Sequence, residues 1–358
     1  MYDISVIDSN FHVPTKLQET DLRFYDVNQA PFQIHGVFYD SGRFLRIPAH
    51  VAATVNEGVF RLNGNTAGGR VRFRTDSPHI AIYAKMSEIA KMSHFALTGA
   101  AGFDLYLDHV GYLDTFKPPF DITDGFEAIV YRNSSGMQDF TINFPLYSQV
   151  DELFIGLSQN ACIEAPKPYA MKTPIVYYGS SITQGGCASR PGNSYESIIS
   201  RRFDTDYINL GFSGNARGEQ EIADYISGLE MSVFVCDYDH NAPSVAHLDQ
   251  THERLYQTVR QAQPDLPIIL MSRPQFYLTD EEKQRLSIIQ RTFANAKAAG
   301  DRNIYLLDGP QLMALARNEG TVDNCHPNDL GFVSMAKAVG DLLETILPEV
   351  IAGDHTTR

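Results

Sequence analysis

The hydrophobic rhythm of this chain changes once, near Pro174, and that change limits what it can fold into. Before about residue 165 the apolar residues alternate in short runs: "RVRFRT" (70–75), "HIAIYA" (79–84), "FDLYLD" (103–108), "DFTINF" (139–144) and "ELFIGL" (152–157). Turn signals such as "NGN" and "DSP" lie between them. Period-two runs at short intervals, without long amphipathic helices, predict an antiparallel β-sandwich. The segment "EAPKPYAMKTP" (164–174), with three prolines, reads as a semi-rigid linker.

After Pro174, strands and helices take turns. "IVYYG", "DYINLGF", "SVFVCDY", "PIILMS" and "NIYLLD" read as strands, and "SYESIISRRF", "EQEIADYISGL" and a last stretch over 329–347 read as helices. That alternation predicts βαβ units, a parallel sheet and helices on both of its faces. At 358 residues, two domains are expected. The change of rhythm sets them at 1–165 and 166–358.

Charge and length exclude some partners. A net charge of −14 argues against a nucleic-acid partner, which would need a basic face. No apolar run reaches the roughly 18–20 residues of a membrane span. The N-terminus "MYDISVIDSNFHVP" has neither a basic nor an apolar leader segment, so a cytoplasmic location is expected, although a processed secreted form would read the same way. A homo-oligomer is left open. Cys162, Cys187, Cys236 and Cys325 are far apart and form no C-x-x-C pair, which argues for free thiols rather than a disulfide framework or zinc site.

In an open parallel sheet, ligands bind beyond the carboxyl ends of the strands. Four such places carry chemical groups. The first strand runs into "GSSITQG", where Ser181 follows a tight turn at Gly179. The second runs into "FSGN", where Gly214 could present a backbone N–H to a ligand, since no side chain blocks the approach. The third runs into "DYDHNAP", where Asn241 could offer its amide. The last loop, "TVDNCHPNDLGF", holds Asp323 and His326 three residues apart, with Pro327 fixing the backbone behind them. Each alone reads as turn chemistry. Together they are the equipment of acyl transfer: nucleophile, base, orienting carboxylate and donors for a developing oxyanion.

These four blocks, in this order, resemble the GDSL or SGNH hydrolases. "GSSITQG" is similar to the family's G-D-S-x-T-x-G, Gly214 to its second-block glycine, Asn241 to its third-block asparagine, and Asp323 to His326 to its D-x-x-H. "GFDLY" (102–106) resembles the G-x-D-L-Y signature of the β-rich domain that precedes one subgroup. The resemblance implies a three-layer α/β/α, flavodoxin-like hydrolase domain behind a jelly-roll-like sandwich. It implies a serine esterase with Ser181 as nucleophile, His326 as base and Asp323 as its orienter. The oxyanion hole would be the N–H groups of Ser181 and Gly214 with the Asn241 side chain. No metal or organic cofactor is implied.

Two positions depart from the pattern: Ser180 stands where the family has aspartate, and the third block reads "DHNA" in place of G-x-N-D. Both lie beside functional positions and weaken any carry-over of substrate preference. Arg190 and His240 are candidate substrate-wall residues, with ion pairing as the alternative for Arg190. His247 and His252 read as surface residues, and Cys325 as a small packing residue. Subgroups with a leading β-domain resemble carbohydrate esterases, so the expected substrate is a short-chain, acetyl-type ester on a sugar-like alcohol. The absence of Trp is awkward for gripping polysaccharide, although 18 tyrosines could replace it. A general acylhydrolase, and a carbohydrate-binding protein with an inactive hydrolase domain, are the competing readings.

Overall fold

The computed structural model describes residues 4–14, 16–132 and 136–347. The apolar alternation in the first half produces two antiparallel sheets. One has the order Arg23–Asp26, Glu152–Leu157, His79–Lys85, Gly125–Tyr131. The other runs Ile163–Glu164, Arg70–Thr75, Gln138–Asn143, Phe103–Leu107, Gly111–Phe116, with Gln33–His35 also pairing with Arg70–Thr75. Val71, Phe73, Phe140 and Ile142 of the second sheet meet Ile80, Ile82, Leu153 and Ile155 of the first in one buried core. That is the expected sandwich, with side chains from two inner faces interdigitated.

The second half is a five-stranded parallel sheet of β1 (Met171–Gly179), β2 (Thr205–Gly211), β3 (Val233–Asp237), β4 (Ile268–Met271) and β5 (Ile304–Leu307). Its spatial order is β2-β1-β3-β4-β5, a doubly wound order of the flavodoxin kind. The principal helices are α1 (Tyr195–Phe203), α2 (Gln220–Ser227), α3 (Val245–Ala262), α4 (Asp280–Ala298) and α5 (Asp329–Ile346). Successive residues of β1 feed opposite faces. Val176 and Tyr178 enter a core with α2 and α3, while Ile175 and Tyr177 enter one with α1 and α5. Burial on both faces explains why these strands read as continuous apolar runs.

The structure corrects two sequence expectations here. The stretch 164–174 is not wholly a linker, because β1 begins at Met171. Pro174 is accommodated where the pairing with β2 shifts register between Met171 and Ile175, so its missing N–H costs little. The first half also contains two short helices, Ala49–Val55 and Glu57–Leu62, that the alternation hid. Ala52, Val55 and Val59 pack not into the sandwich but into the core of the parallel sheet, with Phe212 and Ile222. Arg46, just before this pair, is buried; it donates to the carbonyl of Leu62 at 2.7 Å and to that of Gly211, and lies over the Phe212 ring. Burial drives its pKa down to about 9.

His252 is a third correction. It is only 2 % exposed, its Nδ1 2.9 Å from Thr292 Oγ1 and its ring stacked on Tyr238. Read as a surface residue, it is instead packed between α3 and α4. His247, by contrast, is half-buried, its Nε2 within 2.8 Å of the Arg217 carbonyl. Burial lowers the His252 pKa to about 4 against an ordinary 6.5, with the charge of Asp239 opposing. Between those two values the unfolded chain takes up a proton that the fold excludes, so stability is full above pH 6.5 and falls as the pH drops towards 4. The fall attributable to this residue should be about 3 kcal/mol. Urea unfolding of wild type and His252→Gln at pH 7 and pH 4.5 checks it: the variant should show the weaker pH dependence.

Candidate active site

The ends of β1, β2 and β3 are level, because Gly179 pairs with Gly211 on one side and Asp237 on the other. Ser181 lies two residues beyond β1, Gly214 three beyond β2 and Asn241 four beyond β3. The register alone therefore gathers them at one edge. Two hydroxyls follow Gly179, and the turn separates them. Ser180 is fully buried, its Oγ accepting the Ile182 N–H at 3.1 Å and its own N–H donating to the Asp237 carbonyl. Ser181 is left to face the crevice.

The last loop arrives from the other end of the sheet. It is cinched by a bridge between Thr321 and Pro327 and by the Val322 N–H donating to the His326 carbonyl at 2.8 Å. Asn324 takes the left-handed conformation, φ 62°, that asparagine tolerates. Inside this loop Asp323 accepts the backbone N–H groups of Cys325 and His326 at 3.0 and 2.7 Å, and its second oxygen lies 2.8 Å from His326 Nδ1. The opposite ring nitrogen, Nε2, is 3.0 Å from Ser181 Oγ. Burial pushes the Asp323 carboxyl up, but these donors outweigh it and its pKa falls to about 2. It is thus ionised throughout the neutral range.

The expected oxyanion donors are also at hand. Among the described residues the N–H groups of Ser181 and Gly214 have no protein acceptor, whereas those of Ser180, Ile182, Asn215 and Ala216 are all used. Gly214 adopts φ +68°, a conformation that favours glycine and leaves its Cα side open. Asn241 Nδ2 spends one hydrogen on the Phe212 carbonyl at 3.0 Å, which fixes the amide.

Three groups near the site escaped the sequence reading. His94, on a loop of the sandwich half, places Nε2 3.9 Å from Asp323, its ring 5.8 Å from that of His326. Tyr147 donates its hydroxyl to the Ser181 carbonyl at 3.1 Å. Asp237, at the end of β3, is buried and accepts Thr183 Oγ1 at 3.2 Å; burial lifts its pKa to about 7. No motif surrounds His94, and only the folding of one half onto the other brings it and Tyr147 in. His240 lies beside Asp239, Nδ1 to Oδ1 3.2 Å, on the turn that carries Asn241. Among the described residues two groups have the chemistry to hold a metal, His94–Cys187–His326 and Asp237–Asp239–His240, each with its ligand atoms within 4.8 Å. In the first, His326 is hydrogen-bonded to Ser181 and Asp323; in the second, Asp237 Oδ2 accepts Thr183 and Asp239 accepts His240, while Asp237 Oδ1 and His240 Nε2 have no hydrogen-bond partner among the described residues.

Arg190 takes the second of its two expected roles. It pairs with Asp104 at 3.1 Å, donates to the Tyr106 hydroxyl and stacks over Tyr112 at 3.9 Å. Asp104 and Tyr106 are the acid and tyrosine of "GFDLY". Asp104 is fully buried and also accepts the Gly192 N–H at 2.8 Å and Asn143 Nδ2 at 2.8 Å. Gly192 lies so close to the Tyr106 ring that an added Cβ would sit 2.4 Å from it. The signature thus clamps the loop that follows Ser181. Burial raises the Asp104 pKa, with Asn143, Arg190 and the Gly192 N–H opposing.

Residues 172–344 match the GDSL-like lipase/acylhydrolase family, and residues 22–163 match the N-terminal domain of SGNH-hydrolase-type esterases. The chain thus joins a domain of the GDSL-like lipase/acylhydrolase family to a GxDLY domain on its N-terminal side. No curated protein matches it. Among solved structures it is similar to a Bacteroides ovatus protein described as a GDSL-like lipase, at 27% identity and TM-score 0.82, covering 91% of this chain and 98% of that one. It shares its fold with the salicylyl-acyltransferase SsfX3 of a tetracycline biosynthetic pathway (19% identity, TM-score 0.77, 92% and 99% covered). The same holds for an acetyl xylan esterase of the rumen bacterium Butyrivibrio proteoclasticus (12%, 0.60, 92% and 99%).

Replacing Asp104 with Ala should leave Arg190 unpaired and the loop unanchored, costing about 3–5 kcal/mol of stability. Urea denaturation of the variant against wild type measures this.

Proposed function

We propose that this protein is a serine esterase acting on short-chain carboxylic esters, with acetyl groups on carbohydrate alcohols as its substrate class. The observation that carries the proposal is the continuous Ser181–His326–Asp323 hydrogen-bond chain at the carboxyl edge of the sheet. In the reaction, Ser181 Oγ attacks the ester carbonyl while His326 Nε2 takes its proton. The tetrahedral oxyanion is received by the N–H groups of Ser181 and Gly214 and by the Asn241 amide. His326 then protonates the leaving alcohol, the acyl group stays on Ser181, and water attacks with the same imidazole as base. Asp323 holds the ring in the tautomer that bares Nε2 and stabilises the imidazolium. These steps call for no metal or organic cofactor. The carbohydrate class is supported by the acetyl xylan esterase and by a Clostridium thermocellum family two carbohydrate esterase in complex with cellohexaose (17% identity, TM-score 0.59, 79% and 94% covered).

Ser181→Ala should lower nitrophenyl acetate turnover by roughly a millionfold, since the triad acts as a unit. Ser180→Ala should keep most of it; the reverse result would reassign the nucleophile. Across nitrophenyl esters of increasing length, kcat/KM should fall sharply beyond acetyl, and acetylated sugars should be deacetylated. A flat chain-length profile would instead identify a general acylhydrolase.

A further inference from the structure

A second cavity, of about 280 Å³, lies between the two halves and away from Ser181. Its walls include Arg70 and Arg72 of the sandwich, Tyr169 of the connecting stretch, and Arg201, Arg202 and Tyr207 of the hydrolase half. Tyr207 stands near the start of β2, four residues before the strand end that faces the catalytic crevice. At about 3.3 Å per residue this separates the two sites by roughly 13 Å along that strand. Neither Ser181, His326 nor Asp323 lines the cavity.

The protein is acidic, yet four guanidinium groups converge here against two lining carboxylates, Asp108 and Asp204. Arg70 is satisfied by Asp206, and Arg202 by Asp341 and Glu344. Arg72 is not satisfied. It is 1 % exposed and lies over the Tyr169 ring at 3.9 Å, and Nη2 reaches Asp108 at 2.7 Å. Its Nε and Nη1 are buried without any partner among the described residues. Buried donors in native proteins are almost always paired, so two unpaired ones on one side chain of the cavity wall call for a partner. Arg201, exposed on α1, stacks over Tyr106 at 4.2 Å and has no carboxylate partner among the described residues. Stacking occupies the face of a guanidinium and leaves its in-plane N–H groups available.

We propose that this cavity binds a small oxyanion, a carboxylate or phosphate group on a molecule of about monosaccharide size, held by Arg72 and Arg201. Such a ligand would bridge the halves and be recognised by charge-assisted hydrogen bonds of the kind arginine makes to planar or tetrahedral oxyanions. The cavity is separate from the ester-cleaving chemistry, so the proposal stands or falls independently of it.

Calorimetric titration of the whole protein with inorganic phosphate, glucuronate and glucose, at matched ionic strength in sodium chloride, tests it. Phosphate or glucuronate should bind saturably and glucose should not; which anion binds tells the two sources apart. Arg201→Ala should weaken that binding about tenfold or more, while its nitrophenyl acetate turnover stays at the wild-type level. Because Arg72 also pairs with Asp108, Arg72→Lys is the second variant, with the same loss expected where it folds. Failure of both anions to bind, or equal binding by wild type and Arg201→Ala, would overturn the site.

Discussion

The active-site edge depends on a carboxylate that belongs to the other half of the molecule. Asp104 sits at the end of a sandwich strand, out of water, and its oxygens take three donors: Asn143 within its own sheet, and Arg190 and the Gly192 amide from the loop beyond the nucleophile. A buried carboxylate is tolerable only when so fully paired. Satisfying it therefore draws the hydrolase loop onto the sandwich. The sandwich is part of the support of the crevice, and not an appended module.

The same logic recurs along the seam. Arg46 reaches the carbonyl at the end of β2, and Arg70 reaches Asp206 and the Tyr207 carbonyl at its beginning. Both ends of that edge strand are thus gripped by cations from the first half. His94 and Tyr147 add polar groups from the sandwich side next to Asp323 and Ser181. A crevice built this way has one wall whose character is set by the β-rich half.

Much of this was legible in the sequence, for a physical reason. The five parallel strands are short apolar runs that only a doubly covered sheet can bury, and the residues after them share one edge because parallel strands all point the same way. Ser181, Gly214, Asn241, Asp323 and His326 could therefore be placed together before any coordinates. The short helices over 49–62 were hidden because their apolar residues serve a core more than a hundred positions away. His252 was misjudged because two histidines on one helix do not reveal which side α4 will cover. Arg190 could be read either as a substrate contact or as an ion pair, and only the arrival of Asp104 decides between them.

The long reach of Arg46 and Arg70 has a consequence for how the chain is made. On a ribosome the sandwich emerges first, but the acceptors for these two guanidinium groups are 165 and 136 positions downstream. Until the polypeptide has been extended past Gly211, the early half is an unfinished surface with cationic side chains awaiting partners not yet translated. Completion of the amino-terminal half is thus timed by synthesis of the carboxyl-terminal one.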